Sequence, residues 1–148
     1  MNGDIIVREA YKWLGTPYHH GAKVRGAGVD CAQFIIAVYE GCGILENGEV
    51  RPGYYSPEWH LHRSEELYLG WIKKYCREVT TCAASLGDIA VFQYGRCVSH
   101  AGIITGWPYI IHSYLNIGVC EMLIWDGLLC DKKGHTRLRG IYRPIDRR

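Results

Sequence analysis

Cys31 is the residue in this 148-residue sequence that is best placed to act as a nucleophile. Asp30 precedes it and a nearly all-apolar run follows from Ala32 to Tyr39, which predicts that Cys31 lies at the start of a buried helix capped by Asp30. Unpaired backbone N–H groups and the positive end of the helix dipole should lower the pKa of a thiol there. The N–H of Cys31 would also face an oxyanion formed on a substrate. The alternative is a buried cysteine with a structural role only.

Two histidines, His100 and His112, could supply the base that such a nucleophile needs. The apolar runs around them predict two strands joined by a turn near Gly106. With Gly106 at the centre of the hairpin, the two histidines would lie directly opposite each other on one face, with Cβ atoms about 5 Å apart. One ring could then accept the proton of the thiol while the other orients it. The alternative is a pair of hydrogen-bonded histidines in a half-buried sheet.

The other cysteines and histidines do not form a recognisable site. The seven cysteines are an odd number in a sequence without a signal peptide, which predicts reduced thiols rather than disulfides. They include no CxxC pair, which predicts no structural zinc site. His19 with His20, and His60 with His62, each offer two metal ligands, but no third ligand lies at a suitable spacing. The sequence therefore predicts no metal and no cofactor, and it places His60 and His62 on the surface.

An α+β fold is expected to position these residues. One helix is predicted over residues 4–14 and a second after Asp30, with a helical insertion at about 45–80 that contains a helix from Ser64 to about Arg77. Short runs rich in Val, Ile, Tyr and Trp then predict an antiparallel meander with strands at 88–94, 98–105, 109–114, 119–125 and 140–144. Helices followed by strands predict segregated layers, here in a single domain spanning residues 1–148.

The composition limits the classes of partner. A net charge of +2 and 22% charged residues are ordinary for a globular protein and too weakly basic to predict nucleic-acid binding. No apolar run approaches the ~20 residues that cross a bilayer, which predicts no membrane insertion. The first residues lack the basic and apolar regions of a signal peptide, so we expect synthesis in the cytoplasm without a signal for export.

Five short motifs occur in the order and spacing of one peptidase family. They are GTPY (15–18), VDCAQF (29–34), LGD (86–88), SHAGIITG (99–106) and IIHS (110–113). This series resembles the NlpC family of cell-wall cysteine peptidases, in the form found in phage tail genes. The resemblance implies a papain-like fold, in which a helix that carries the nucleophile packs on an antiparallel sheet that carries the base. It implies that Cys31 is the nucleophile, His100 the general base and His112 the residue that orients His100.

The resemblance assigns further roles near the nucleophile. Tyr18 matches a tyrosine whose hydroxyl lies beside the nucleophile and helps to bind the oxyanion, with simple packing as the alternative. Asp30 matches the acidic residue before the cysteine, where we expect a helix cap first and a substrate contact second. Asp88 matches an aspartate that stabilises the turn before the first strand. Ala32 and Gln33 depart from the serine and glycine that usually follow the cysteine, which leaves the substrate preference open.

The function implied is hydrolysis of peptidoglycan stem peptides, next to diaminopimelate, through a thioester on Cys31. One alternative is a related Cys/His amidase that cuts the link between sugar and peptide. Another is a non-catalytic phage tail assembly protein, in which exposed aromatic residues such as Trp59 and Tyr68 form the docking surface. Without an export signal, the enzyme would reach the wall as part of a phage tail or after lysis.

Overall fold

The structure, a computed structural model, describes residues 3–52 and 67–145. Within these ranges the chain forms helices α1 (Gly3–Tyr11), α2 (Cys31–Gly41) and α3 (Leu67–Tyr75). The strands are β1 (Lys23–Val24), β2 (Gly28–Val29), β3 (Cys76–Val79), β4 (Ile89–Tyr94), β5 (Cys97–Gly106), β6 (Tyr109–Tyr114), β7 (Gly118–Leu123) and β8 (Leu138–Pro144). Short 3₁₀ turns occupy Thr81–Ala83 and Gly127–Leu129. No helix in the described ranges is long and apolar enough to cross a membrane.

Six strands form one antiparallel sheet in the order β3-β8-β4-β5-β6-β7. The predicted meander is confirmed for β4 to β7, but β8 returns to the other side of β4 and separates it from β3. The sequence does not predict β3, because it places Cys76 and Arg77 at the end of the preceding helix and no strand after them. That helix ends at Tyr75, and Cys76 to Val79 pair with β8 instead. The insertion is therefore not entirely helical, and the predicted helix start at Ser64 lies outside the described residues.

Helix α2 is the central element of the helical layer. Its apolar residues from Phe34 to Tyr39 are buried, as the sequence predicts. The helix packs against the sheet in a core, called here the helix-side core, that includes Phe34, Val38, Val91, Ala101, Ile103 and Ile111. A second core on the sheet contains Ala90, Phe92, Ile104, Ile110, Ile124, Leu129 and Ile141. Because the sheet has buried residues on both of its faces, its strands appear as nearly continuous apolar runs in the sequence.

The first helix is shorter than predicted. It buries Ile6 and Ala10 but ends at Tyr11. The next three N–H groups donate to carbonyls three residues earlier, so the chain turns instead of continuing the α-helix. Trp13 is nevertheless buried and meets Phe34 edge-on, at 6.4 Å between ring centroids. The turn thus joins the helix-side core.

Asp88 stabilises the entry to β4, as the sequence predicts. The carboxylate is buried and accepts a hydrogen bond from the N–H of Ser85 at 2.8 Å. The Arg143 guanidinium on β8 donates to both carboxylate oxygens at 2.9 Å. A planar guanidinium bound at two points fixes both distance and orientation. The Asp88–Arg143 pair therefore joins β8 to the start of β4, the strand that pairs with β5.

Candidate active site

Asp30 caps α2 and joins it to the preceding loop. Its backbone is extended (φ −92°, ψ −178°), and its carboxylate accepts hydrogen bonds from the N–H groups of Gln33 and Gly21, both at 2.8 Å. The side chain is buried. The predicted capping role is confirmed, and it fixes Cys31 at the first turn of the helix. A direct contact of Asp30 with substrate stays a prediction.

Two contacts hold Cys31 against the rest of the site. Its thiol lies 3.5 Å from the carbonyl oxygen of Ser99, the residue before His100 on β5, and donates to it. The hydroxyl of Tyr68 on α3 donates to the carbonyl of Cys31 at 3.3 Å. The predicted nucleophile thus lies beside the strand that carries the predicted base. Tyr68 is half-buried and supports the nucleophile, so its predicted exposure as part of a docking surface is wrong. Trp59 lies outside the described residues.

The environment of Cys31 opposes ionisation of the thiol. Burial raises its pKa, and the neighbouring Asp30 carboxylate raises it further. The N–H groups of Cys31 and Ala32 act in the opposite direction, as the sequence predicts, but they do not outweigh burial. The predicted net lowering of this pKa is therefore wrong for the structure described. Because only a protonated thiol donates to a carbonyl, the contact with Ser99 agrees with a neutral Cys31.

His100 and His112 form a hydrogen-bonded pair. Nε2 of His100 lies 2.8 Å from Nδ1 of His112, and the ring centroids are 5.0 Å apart. Both side chains are buried. The contact occupies Nε2 of His100, so Nδ1 is the ring nitrogen with which His100 could exchange a proton with another group. The predicted pairing of the two rings is thus present in the structure.

The strand register differs from the predicted one. Gly106 pairs with Tyr109 and Ile104 with Ile110, so the turn is centred after Gly106 and a bulge follows Ile104. This register places Gly102 opposite His112, and a side chain on Gly102 would begin only 3.1 Å from the His112 Cβ. His100 is therefore diagonal to His112 rather than directly opposite. Since a shift of two residues keeps the same face, the predicted meeting of the rings survives the error.

The hydrogen bond between the rings determines which tautomer can act as a base. For Nδ1 of His100 to take a proton, Nε2 must already carry one and donate it to Nδ1 of His112. His112 then carries its own proton on Nε2, a buried atom for which the described residues provide no partner. The negative charge of Asp126 favours the protonated form of His112, but burial outweighs this effect and keeps the ring neutral. The arrangement is consistent with His112 as an acceptor that orients the base.

Both histidines are held neutral by burial. Burial lowers the pKa of His100 well below its usual range, and protonation of His112 would lower it further. Burial lowers the pKa of His112 to about 4, against a partial opposing effect of Asp126. The resting site therefore holds a neutral thiol at Cys31 and neutral imidazoles at His100 and His112.

The buried histidines make the stability depend on pH. In the unfolded chain each binds a proton near pH 6.5, whereas the folded protein binds it only at lower pH. The unfolded state thus binds more protons in that window, so the free energy of unfolding should fall as the pH falls from 6.5 toward 4. His112 alone should account for about 2 kcal/mol between pH 7 and pH 5. Urea unfolding at both values measures the effect, and His112→Gln should show the smaller loss. An equal loss in that variant would contradict the assignment.

Tyr18 lies in the loop before Asp30. It forms an isolated bridge with Val29 and is half-buried. Burial raises the pKa of its hydroxyl, and the charge that Cys31 would carry if ionised and the charge of Asp30 raise it further, so the hydroxyl stays protonated as a donor. The loop is held against β7, where the Val119 N–H donates to the Thr16 carbonyl at 2.9 Å. Binding of an oxyanion by Tyr18 stays a prediction.

Sequence reasoning missed two tyrosines that line the histidine pair. Tyr94 ends β4 and Tyr114 ends β6, and both rings lie within 6 Å of His100 between centroids. A signal was available for Tyr114, which follows His112 by two residues and so projects from the same face of the strand. Tyr94 gave no such signal, because its position depends on the pairing of β4 with β5.

The model of one protein family matches residues 15–126, which is more than half of the chain. That model describes the NlpC/P60 family. The chain belongs to the NlpC/P60 family. The match spans the Tyr18 loop, the start of α2 and the strands with His100 and His112. The predicted resemblance is thus confirmed at the level of the family, while the phage-tail form stays a prediction.

Solved NlpC/P60 structures share the fold at low sequence identity. The NlpC/P60 domain of the peptidoglycan hydrolase SagA is 21% identical, with a TM-score of 0.65, over 97% of this chain and 99% of that one. A family member from Bacillus cereus is 20% identical, with a TM-score of 0.66, over 99% of this chain but 41% of its own. The peptidoglycan hydrolase RipB from Mycobacterium tuberculosis is 18% identical, with a TM-score of 0.60, over 97% of this chain and 65% of its own. These matches confirm the predicted papain-like α+β fold. The comparison with curated protein sequences gave no significant match.

Proposed function

We propose that this NlpC/P60 protein is a cysteine peptidase that hydrolyses stem peptides of bacterial peptidoglycan. The observation that carries the proposal is the placement of Cys31, at the start of a buried helix, beside the strand whose His100 is hydrogen-bonded to His112. Nucleophile, base and orienting group are the parts that acyl transfer needs. Family membership and the similarity to SagA and RipB, both described as peptidoglycan hydrolases, support the substrate class.

The first half of the reaction forms a thioester. Nδ1 of His100 takes the proton of the Cys31 thiol while the sulfur attacks the carbonyl carbon of the scissile amide. The negative charge that develops on the carbonyl oxygen is stabilised by the Cys31 N–H, with the Tyr18 hydroxyl as a second donor. The tetrahedral intermediate then breaks its C–N bond, and His100 gives its proton to the departing amine. The acyl group remains on the sulfur of Cys31.

The second half releases the acid. His100, neutral again, takes a proton from a water molecule that attacks the thioester carbon. The C–S bond breaks, the proton returns to the sulfur, and a carboxylic acid leaves. His112 stays neutral throughout and accepts the Nε2–H of His100. This hydrogen bond stabilises the positive charge that His100 carries between taking up the transferred proton and releasing it.

The neutral resting site affects the order of proton transfer. Because burial disfavours both the thiolate and the imidazolium, the proton should move as the sulfur attacks rather than beforehand. A substrate that fills the site brings the carbonyl that receives the developing charge. Ionisation of Cys31 is thus coupled to the presence of substrate.

The bond next to diaminopimelate is the proposed site of cleavage, and the cytoplasm the proposed place of synthesis. Delivery to the wall on a phage tail or after lysis belongs to the same proposal. A related amidase would use the same groups on the link between muramic acid and the peptide. The two activities differ only in which amide reaches Cys31, so their products distinguish them.

Digestion of diaminopimelate-type peptidoglycan tests the proposal. The purified protein should generate new amino groups and fragments cut inside the stem peptide, without free sugars, as measured by mass spectrometry. The Cys31→Ser variant, digested in parallel, controls for contaminating hydrolases. Intact stem peptides freed from muramic acid would establish the amidase instead. If no fragments appear from any wall preparation, peptidoglycan is not the substrate.

A further inference from the structure

Tyr94 and Tyr114 enclose the two histidines from different strands. The ring of Tyr114 stacks on His112, with centroids 5.4 Å apart and planes at 23°. Tyr114 also lies 5.5 Å from His100, and Tyr94 meets His100 edge-on at 5.9 Å. Phe92, which pairs with His100 across β4 and β5, contributes a third aromatic ring at 5.8 Å. The hydrogen bond between the histidines is thus surrounded by aromatic side chains.

The hydroxyl groups of both tyrosines converge on one backbone atom. Tyr94 donates to the carbonyl oxygen of Leu128 at 2.5 Å, and Tyr114 donates to the same oxygen at 3.0 Å. The two hydroxyl oxygens are 3.3 Å apart. Leu128 belongs to the 3₁₀ turn, where the Asp126 carboxylate accepts its N–H at 2.9 Å. Three separate segments of the chain are therefore joined at this carbonyl.

The outer face of Tyr94 is also occupied. The guanidinium carbon of Arg137 lies 4.4 Å from the centre of its ring. Arg137 is itself fixed by donation to the carbonyls of Cys130 and Gln93, at 3.1 and 3.2 Å. The hydrogen bond to Leu128 fixes the hydroxyl of Tyr94, and the Arg137 cation covers one face of its ring. Together the two contacts restrict both tilting and sliding of the ring. Tyr94 consequently has one fixed orientation against His100.

We propose that Tyr94 and Tyr114, tied together through the Leu128 carbonyl, are positioning residues that fix the planes of His100 and His112 and exclude water from the hydrogen bond between them. The inference deepens the proposed function and rests on it for the identity of the base. Proton transfer at Nδ1 of His100 requires that its Nε2 remain aimed at His112. A hydrogen bond kept from water is also stronger than one that competes with it.

Phenylalanine substitutions separate the hydroxyl tie from the aromatic packing. Tyr94→Phe and Tyr114→Phe keep both rings but remove their bonds to Leu128. Among the residues that the structure describes, the titratable and charged groups around the histidine pair are then Cys31, Cys120, Asp126 and Arg137, besides the tyrosines themselves. None of these four is changed by the substitutions. Tyr109→Phe is the matched control, since Tyr109 lies on the same strand as Tyr114 but is exposed.

The test compares wild type, the two single variants, the double variant and Tyr109→Phe. In the double variant, kcat on stem peptides should fall about 10- to 100-fold, because the base His100 is misaligned. KM should change little, because the substrate still binds in the same way. The acid limb of the pH profile should move to higher pH, since water that reaches His100 favours its protonated form. NMR titration of the imidazoles should show the same upward movement for His100, without any need for turnover. Tyr109→Phe should match wild type in all three measurements.

The outcomes distinguish this inference from the proposed function. Unchanged kcat and unchanged histidine titration in a folded double variant would overturn the inference and leave the peptidase proposal intact. If wild type cuts no wall preparation, the peptidase proposal fails, and the NMR titration alone decides whether the tyrosines hold the histidines. A loss of thermal stability with no change in the pH profile or titration would show a merely structural role and also overturn it. Should the double variant not fold, Tyr114→Phe alone decides by the same measurements.

Discussion

Replacement of Cys31 by serine is expected to lower kcat/KM on peptidoglycan by at least about 10⁴-fold, and His100→Ala should reach the same level. Serine retains a hydroxyl at the start of α2, but the neutral, buried His100 is too weak a base to activate an alcohol in place of a thiol. Alanine at position 100 removes the acceptor of the thiol proton. Rates of new amino-group formation at equal protein concentration measure both effects.

The same pair of substitutions tests whether the residues act as a unit. The double variant Cys31→Ser/His100→Ala should be no slower than either single variant, because each already eliminates the joint step. Cys82→Ser is the matched control, since Cys82 is an exposed cysteine outside the site and its loss should leave the rate unchanged. Full activity in a folded Cys31→Ser variant would refute the assignment of the nucleophile.

Substitution of His112 should have a smaller effect that depends on what replaces it. His112→Ala is expected to lower kcat about 10²-fold, because the Nε2–H of His100 loses its acceptor and the ring its orientation. His112→Gln should remain within about 10-fold of wild type, since an amide oxygen can accept the same hydrogen bond. Turnover measured beside circular dichroism separates this effect from misfolding. If His112→Gln were as inactive as Cys31→Ser while folded, His112 would do more than orient His100.

The parts of the site that sequence predicts well are those set by local pattern. Asp30 and the apolar run after Cys31 define a capped helix within a few residues, so the position of Cys31, the predicted nucleophile, follows from neighbours in the chain. His100 and His112 lie on strands with a period of two, so the shared face was predicted correctly even though the turn was placed incorrectly. A register error of two residues leaves the same side chains on the same face of the strand.

The parts that sequence did not predict depend on contacts between distant segments. The pKa of Cys31 is set by burial, which no local pattern measures, and burial outweighs the backbone N–H groups that the sequence does indicate. Tyr94 and Tyr114 meet at Leu128 only because β4, β6 and the 3₁₀ turn come together in the folded sheet. β3 was missed because its partner is β8, more than 60 residues further along the chain. Pattern analysis of one segment cannot detect a partner that far away.

The place of β8 between β3 and β4 makes completion of the sheet depend on a strand that is synthesised after both of its neighbours. Both neighbours leave the ribosome well before β8, and until it arrives each presents an open row of N–H and C=O groups. Pairing at such long sequence separation is slow, since the entropy of closing a large loop must be lost first. A nascent chain that stalls before Leu138 would therefore expose two strand edges to self-association.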